Sequence, residues 1–302
     1  MIARILIASL LMVSPALAQP AAQALKFGWA PKPKSAPFVA PNRAHWKLTD
    51  VIKAHAKQKS WSQTMVRDAD GLTATYIQSA PGEISRRVMY SDTTIFFVVQ
   101  SGQLRVTIDG IAPFTAAEGG LVQVPSLRFF QVETVSAAPA LRLEVTQTLA
   151  PPVYAEGETP QSLAGKTFVR VGYYSPPASY DGKKPFIDYR QDIASGKMAG
   201  AGVVQDDFIS ANIQRSMPGG PAPASNTRHF HLSSAIALIL EGEMDYQIEG
   251  ERDFTARPGD IVYVPQGRWH RAVPGGSVMA AQVSVSPVAN ALSLTDPGPT
   301  RP

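Results

Sequence analysis

Two segments of the chain repeat one another at a fixed offset of 140 residues, and this repeat limits the possible folds more than any other feature. Residues 102–125 read GQLRVTIDGIAPFTAAEGGLVQVP, and residues 242–265 read GEMDYQIEGERDFTARPGDIVYVP. The segments align without a gap, and 10 of their 24 positions are identical. Chance similarity of composition does not give this density of matches. The sequence therefore predicts a tandem duplication of one structural unit.

Each copy shows the alternation of apolar and polar residues that is typical of short strands. In the first copy the alternation runs into Asp109-Gly110, and in the second into Glu249-Gly250, which are both hairpin signals. The 26 Pro and 23 Gly residues add many more turn signals. Short strands with a turn about every ten residues predict an all-β protein, built as an antiparallel sandwich or barrel.

Helical signal is confined to one short segment before the first copy. Residues 49–59 read TDVIKAHAKQK, and we expect a helix there with Thr49 or Asp50 as its N-cap. Residues 19–60 as a whole form a leader that begins with a run rich in Pro, Ala and Lys, so we expect its first part to be extended or disordered.

The N-terminus has the pattern of a secretory signal peptide. Residues 1–18 read MIARILIASLLMVSPALA, with Arg4 before an apolar run and a small-x-small site at Ala16-Leu17-Ala18. We therefore expect a periplasmic or secreted protein; the alternative is an uncleaved anchor. No later stretch stays apolar for ~18 residues, so we expect no membrane association after cleavage.

Two other regions separate or follow the repeats. Residues 151–200 form a long connector, and its seven aromatic residues favour packing across a barrel face over free disorder. Residues 289–302 form a tail that we expect to be loose.

Composition excludes several classes of function. The chain has no Cys, which rules out a disulfide framework, a thiolate metal site and a cysteine nucleophile. Its formal net charge is only +4 with Lys and Arg scattered along the chain, so nothing indicates nucleic-acid binding. No phosphate-binding loop, nucleophile elbow or dinucleotide fingerprint is present.

Three of the five His residues lie in the second copy at spacings that suit one metal ion. His229 and His231 stand at positions i and i+2, so in a strand their side chains point to the same face. His270 follows at the end of Gly259-(x5)-Pro265-x-Gly267-(x2)-His270. Imidazoles gathered on one face can bind a single divalent metal. His45 and His55 lie outside any motif, and we expect them to be surface or packing residues.

These residues resemble the two motifs of the cupin family, whose fold is a small double-stranded β-helix barrel. The second motif, Gly-x5-Pro-x-Gly-x2-His, matches from Gly259 to His270, and the first matches at His229, His231 and Gly242. The resemblance implies two tandem cupin barrels, residues 61–150 and 201–288, with a short helical segment before them. It also implies a metal site in the second barrel.

Two departures from the family pattern bear on function. The acidic ligand of the first motif is replaced by Ala235, which leaves three His. The offset of 140 places Met89, Ser91 and Phe130 where the second copy has its three His, so we expect the first barrel to bind no metal.

The resemblance also implies candidate chemistry. Cupins with three-His centres include dioxygenases, which favours Fe(II); Mn, Zn, Ni and Cu also suit imidazole ligands. Three neutral ligands leave a divalent site at net +2, which favours a small anionic or chelating organic substrate. A metal-dependent lyase or hydrolase and a non-catalytic binding protein remain open alternatives.

The residues around the site suggest a pocket and two candidate catalytic residues, Gln282 and Arg268. If the strand after His231 continues with odd positions inward, then Ala235, Ala237 and Ile239 line the cavity. Gln282 and Ser284 are polar residues in an otherwise apolar strand, and either can face the pocket. Arg268 could steer an anion toward the metal. Exposed sheet edges also make a homodimer possible.

Overall fold

The computed structural model describes residues 28–158, 167–174, 184–219, 227–288 and 293–296. Every element below lies in one compact unit, residues 32–302. The predicted signal peptide, residues 1–18, lies outside the described residues. Among the described residues no helix is long and apolar enough to cross a bilayer.

Up to residue 188, the described part of the chain contains twelve strands and one short helix. They are, in chain order, β1 (His45–Trp46), α1 (Leu48–Ala54), β2 (Trp61–Arg67), β3 (Thr73–Ser79), β4 (Val88–Met89), β5 (Ile95–Ser101), β6 (Gln103–Ile108), β7 (Ile111–Ala117), β8 (Gly120–Val124), β9 (Phe130–Thr134), β10 (Ala140–Thr146), β11 (Val153–Tyr154) and β12 (Phe186–Asp188).

The elements from residue 189 onward follow the same plan. It comprises a π-helical turn (Tyr189–Ala194), β13 (Val204–Gln205), β14 (Ile209–Ser216), β15 (His229–His231), β16 (Ala235–Glu241), β17 (Glu243–Ile248), β18 (Phe254–Ala256), β19 (Ile261–Val264), β20 (His270–Gly275), β21 (Ala280–Pro287) and β22 (Ser293–Thr295). The predicted all-β fold is therefore confirmed.

Each copy forms a barrel from a six-stranded and a five-stranded antiparallel sheet. In the first barrel the orders are β12-β8-β5-β10-β3-β2 and β11-β4-β9-β6-β7. In the second they are β1-β19-β16-β21-β14-β13 and β18-β17-β20-β15-β22. The hairpin expected at Asp109-Gly110 joins β6 to β7, and Gly110 has φ 80°, a conformation that glycine adopts without strain. The matching Gly250 has φ 83°.

The interiors of the two barrels use the same positions. Ten buried residues of the first interior have a buried counterpart 140 residues later in the second, and Val122 and Val262 are one such pair. The residues that alternate with them along the same strands point to the other face of the sheet, away from these interiors. Those on β5 and β10 (Val98, Leu143) and on β16 and β21 (Leu238, Val283) meet in one apolar core between the barrels.

Each barrel receives a short strand from the segment that precedes the other barrel. Strand β1, which precedes the first copy, pairs with β19 of the second barrel, with His45 opposite Val262. Strand β12, which precedes the second copy, pairs with β8 of the first barrel, with Phe186 opposite Val122. A short helical turn follows each of these strands. The exchange couples the two barrels to one another.

The predicted helix is shorter than expected, and its capping is different. Helix α1 spans Leu48–Ala54, whereas the sequence pattern predicted residues 49–59. Its N-cap is Lys47, which makes no side-chain capping bond, and not Thr49 or Asp50. Instead the Leu48 N–H donates to Asp260 Oδ1 at 2.9 Å. A carboxylate from the second barrel thus satisfies one of the free N–H groups at the start of the helix, which local sequence does not reveal.

The connector and the tail both contribute strands. Strands β11 and β12 come from the connector and join the two sheets of the first barrel, which agrees with the expected packing on a barrel. Residues 159–166 and 175–183 lie outside the described residues. The expectation of a loose tail is wrong for β22, because this strand pairs with β15 along the histidine strand. The backbone hydrogen bonds of β15 explain why the tail is held there.

Candidate metal centre

The three His residues of the second copy lie on adjacent strands of one sheet. His229 and His231 are the two ends of β15, and His270 begins β20. His229 and His270 stand directly opposite one another in the antiparallel pairing. The i, i+2 spacing turns His231 to the same face as His229. Pairing and alternation therefore bring three imidazoles together in the barrel interior.

The imidazole rings are close enough to share one ion. Ring centroids are separated by 4.8 Å for His229–His231, 4.3 Å for His229–His270 and 5.2 Å for His231–His270. One nitrogen from each ring lies within 4.8 Å of the others. His229 and His270 are buried, and His231 is partly exposed. Among the described residues no other set of His, Asp and Glu has this arrangement.

Backbone carbonyls orient two of the rings. His229 Nδ1 lies 2.7 Å from the Thr227 carbonyl oxygen, and His270 Nδ1 lies 3.0 Å from the Arg268 carbonyl oxygen. A carbonyl oxygen can only accept, so each Nδ1 must carry the proton and donate it. The lone pair of each ring is then on Nε2, as in metal-binding histidines whose other nitrogen is hydrogen-bonded.

Burial keeps these two rings neutral. Desolvation lowers the pKa of His229 below its ordinary value. Desolvation also lowers the pKa of His270 to about 3, and the neighbouring His229 and His231 contribute to that shift. Neutral imidazole is the form that binds a metal, so the environment holds both rings ready as ligands.

The histidines open onto a cavity of about 250 Å³ inside the second barrel. Its described lining has three parts, namely the imidazoles, an apolar wall and a polar wall. The residues are Asn212, Gln214, His229, His231, Ala235, Ile236, Ala237, Tyr246, Val262, Val264, His270, Ala272, Gln282, Ser284, Ser286 and Thr295. None of these sixteen residues is Asp, Glu, Lys or Arg.

The apolar wall agrees in part with the sequence expectation. Ala235 and Ala237 line the cavity as expected. Ile239 does not appear in the described lining and is fully buried in the second barrel's core. Ile239 is the last of the three odd-numbered residues considered on β16. It lies next to the bulge at which the pairing of β16 with β21 shifts, and this position is beyond the end of the cavity.

The polar wall is formed by β14 and β21, which pair in register. Gln282 and Ser284 both face the cavity, as the alternation of β21 allowed. Gln214 lies opposite Gln282, and Asn212 lies opposite Ser284. Sequence reasoning missed the two β14 residues and Tyr246. The i, i+2 spacing of Asn212 and Gln214 was the available signal, but which face is inward depends on the barrel.

Arg268, the other candidate from the sequence, lies outside the described cavity lining. Its Nε donates to the Ala36 carbonyl at 2.8 Å, and its Nη1 donates to the Glu249 carbonyl at 2.6 Å. Its guanidinium also stacks on Phe38, 4.5 Å from the ring centroid. These contacts tie the leader to the second barrel. Nothing in its position supports the anion-steering role expected from the sequence.

The two remaining His residues have structural contacts. His45 Nε2 lies 2.8 Å from Asp260 Oδ2, and its ring stacks on Phe254 at 4.5 Å. The ring of His55 stacks on Trp61 with centroids 4.2 Å apart. Both therefore act in packing, in keeping with the expectation from their sequence context.

The first barrel offers no comparable centre among its described residues. Met89 and Phe130, which replace His229 and His270, are 1% and 5% exposed and pack among apolar side chains. Where the second barrel has Ala235 and Ala237, the first has Ile95 and Phe97, and both are buried in its interior. The space occupied by the cavity in one barrel is filled by larger side chains in the other.

Comparison with known proteins supports the architecture. The sequence profile of the Cupin domain family matches residues 213–285. Among solved structures, salicylate 1,2-dioxygenase from Pseudaminobacter salicylatoxidans is similar with a TM-score of 0.58 and 13% identity, covering 85% of each chain. The same enzyme in adducts with gentisate gives a TM-score of 0.59, with 12% identity over 84% of this chain and 85% of that one.

A weaker likeness links the chain to oxalate decarboxylase from Bacillus subtilis. Its TM-score is 0.48, with 12% identity, 78% of this chain covered and 75% of that chain. A search of curated protein sequences found no match. At 12–13% identity, the likeness to the salicylate 1,2-dioxygenase structures establishes a shared fold alone.

Proposed function

We propose that this chain, a bicupin whose three clustered histidines lie in its second barrel, is an exported metal-dependent oxidoreductase. The proposed reaction is dioxygenase-like, on a small anionic or chelating organic substrate. Export rests on the signal-peptide pattern of residues 1–18. The reaction class rests on the cavity described above.

The donor set fits a divalent metal ion. Three imidazoles share one face, two are neutral because of burial, and carbonyls fix the orientation of two rings. Imidazole suits Fe(II), Mn, Zn, Ni and Cu, and Fe(II) is favoured for oxygen chemistry. A bound divalent ion would supply a Lewis acid with open positions for a chelating substrate and a second small molecule.

The observation that carries the reaction class is that, apart from the three histidines, the described lining contains no Asp, Glu, Lys or Arg side chain. Hydrolytic and lyase reactions generally need a group that takes up or releases a proton near neutral pH, and in the described lining a metal-bound water would have to supply it. The phenol of Tyr246 does not serve, because burial raises its pKa far above the ordinary value. Amide and hydroxyl groups here can bind and orient a substrate. A reaction in which substrate and dioxygen are activated at the metal ion requires the least proton transfer from these amide and hydroxyl groups.

A non-catalytic role is the second candidate, and the same observation favours it. A cavity with neutral hydrogen-bonding groups and no Asp, Glu, Lys or Arg in its described lining can also hold a ligand without converting it. The protein would then be an exported binding protein for a small chelating compound. Oxygen consumption distinguishes the two candidates.

The test measures oxygen uptake by the mature protein reconstituted with Fe(II). A panel of catechols, 1,3-diketones and 2-hydroxy acids covers the chelating classes. We expect at least one compound to be consumed with stoichiometric oxygen uptake, and we expect His229→Ala to abolish the uptake. His55→Ala serves as the matched control, because His55 stacks on Trp61 outside the cavity. Tight binding of a compound without oxygen uptake would support the binding protein and contradict the oxygenase.

A further inference from the structure

Building on the proposed function, we infer that Gln214 is a specificity-determining residue that selects ligands with a hydrogen-bond acceptor, above all a carboxylate. Its amide is the free end of a hydrogen-bonded chain that also contains Tyr246 and Gln282. All three side chains line the cavity that contains the histidines.

The buried Tyr246 phenol determines which group donates and which accepts in each of these hydrogen bonds. The Tyr246 hydroxyl is hydrogen-bonded to Gln282 Oε1, and the side chain is 3% exposed. A buried hydroxyl proton without an acceptor costs roughly 1–3 kcal/mol, so the phenol donates and the Gln282 oxygen accepts. The Gln282 Nε2 then faces Gln214 and donates to its Oε1 at 2.8 Å. With its oxygen engaged, Gln214 is left with its NH2 group.

The free end of the hydrogen-bonded series therefore presents an NH2 group with two N–H donors, while the Gln214 oxygen already accepts from Gln282. None of the described residues accepts a hydrogen bond from Gln214 Nε2, and this side chain is only partly buried. The second N–H of Gln282 also has no acceptor among the described residues. A carboxylate or oxo group satisfies such donors, whereas an ammonium group offers donors to an NH2 group that cannot accept them.

The hydrogen-bonded series Tyr246–Gln282–Gln214 is not a general feature of the barrel fold that the two copies share. In the first barrel, Val106 replaces Tyr246 and Arg142 replaces Gln282 at the offset of 140. Strand pairing places Ile77 opposite Arg142, where the second barrel has Gln214 opposite Gln282. The hydrogen-bonded chain and the three histidines thus occur together in one barrel and are both missing from the other. This agrees with a shared role for them.

The experiment uses Fe(III)-loaded protein, which binds catechols with a visible charge-transfer band and does not require turnover. The probes are catechol, 3,4-dihydroxybenzoate and 4-(aminomethyl)catechol. An empty 150 Å³ cavity can hold benzene, so a single substituted ring suits the space here. We expect the carboxylate to tighten binding about 10-fold over catechol, and the ammonium to weaken it, as for one hydrogen bond to a charged group.

Two variants test whether Gln214 is responsible. Gln214→Leu should bring the 3,4-dihydroxybenzoate and catechol affinities close together. Gln214→Glu should reverse the order, so that the aminomethyl compound binds best. Gln247→Glu, which adds the same charge at an exposed site of the same barrel, should leave the order unchanged.

The outcomes separate this inference from the proposed function. Absence of a charge-transfer band with every probe would show that the metal site itself is missing. A band with catechol but equal or weaker binding of 3,4-dihydroxybenzoate in the unmodified protein would overturn the role of Gln214. That comparison needs no variant, so it stands even if a substitution impairs folding.

Discussion

The two barrels share a backbone plan but differ in how their interiors are filled. Where the first barrel has Ile95 and Phe97, the second has Ala235 and Ala237, and this shortening opens the cavity. Where the first has the buried Phe130, the second has His270. The difference shows that a site can arise from changes of side-chain size and polarity on a constant set of strands. The remaining apolar interior keeps each barrel folded.

The two exchanged strands, β1 and β12, are also held by different residues at matching positions of the two barrels. In the second barrel Asp260 accepts hydrogen bonds from His45 and from the Leu48 N–H, and thereby fixes β1 and α1. In the first barrel the matching residue is Gly120, where an added Cβ would lie 2.8 Å from both the Ala117 carbonyl oxygen and the Phe186 ring. The junction between β1 and the second barrel therefore relies on a buried carboxylate, whereas the junction between β12 and the first barrel relies on close packing.

The first prediction restores the filled interior in the second barrel. Ala237→Phe introduces the side chain that the first barrel has at Phe97, and we expect catechol affinity of the Fe(III)-loaded protein to fall about 100-fold as the cavity closes. Metal content should remain near that of the unmodified protein. Ala237→Val should have an intermediate effect. Unchanged catechol affinity in Ala237→Phe would contradict the statement that the small side chains of β16 open the cavity.

The second prediction concerns the junction. Asp260→Asn should lower the free energy of unfolding by about 2 kcal/mol, because charge-assisted hydrogen bonds to buried donors are weakened. Hydrogen bonds from His45 and from backbone N–H groups lower the pKa of Asp260 despite its burial. Its stabilisation is therefore present above the unfolded-state pKa of about 3.9 and lost as the pH falls through the lower folded-state pKa.

Urea unfolding at several pH values checks this prediction. The stability difference between the unmodified protein and Asp260→Asn should be constant above about pH 5 and shrink below pH 4. Asp207→Asn is the matched control, since Asp207 is exposed, and it should change the free energy of unfolding by less than about 0.5 kcal/mol. An equal effect of both substitutions would contradict the role given to Asp260.

Much of the fold could be predicted from the sequence because the repeat and the turn glycines are local signals. The offset of 140 identified the tandem duplication, and the spacing of His229, His231 and His270 identified the cluster. These features depend on strand alternation, on motifs and on the repetition of one segment along the chain. They required no knowledge of how the barrels contact each other.

The features that were missed depend on contacts between distant parts of the chain. The helix begins at Leu48 because Asp260, 212 residues away, binds its first N–H. Gln214 joins the cavity because β14 pairs with β21, and Thr295 reaches it because the tail pairs with β15. Arg268 looked suited to an anion from its position near His270, yet its donors are used by carbonyls of Ala36 and Glu249.

The central claim is that the second barrel alone holds one metal ion through its three histidines. The most direct measurement is elemental analysis of the purified protein alongside His229→Ala and His270→Phe, the latter carrying the residue of the first barrel. The account predicts about one divalent metal ion per chain in the unmodified protein and only background metal in both variants. An unmodified protein without metal after anaerobic reconstitution, or variants that keep a full complement, would contradict it.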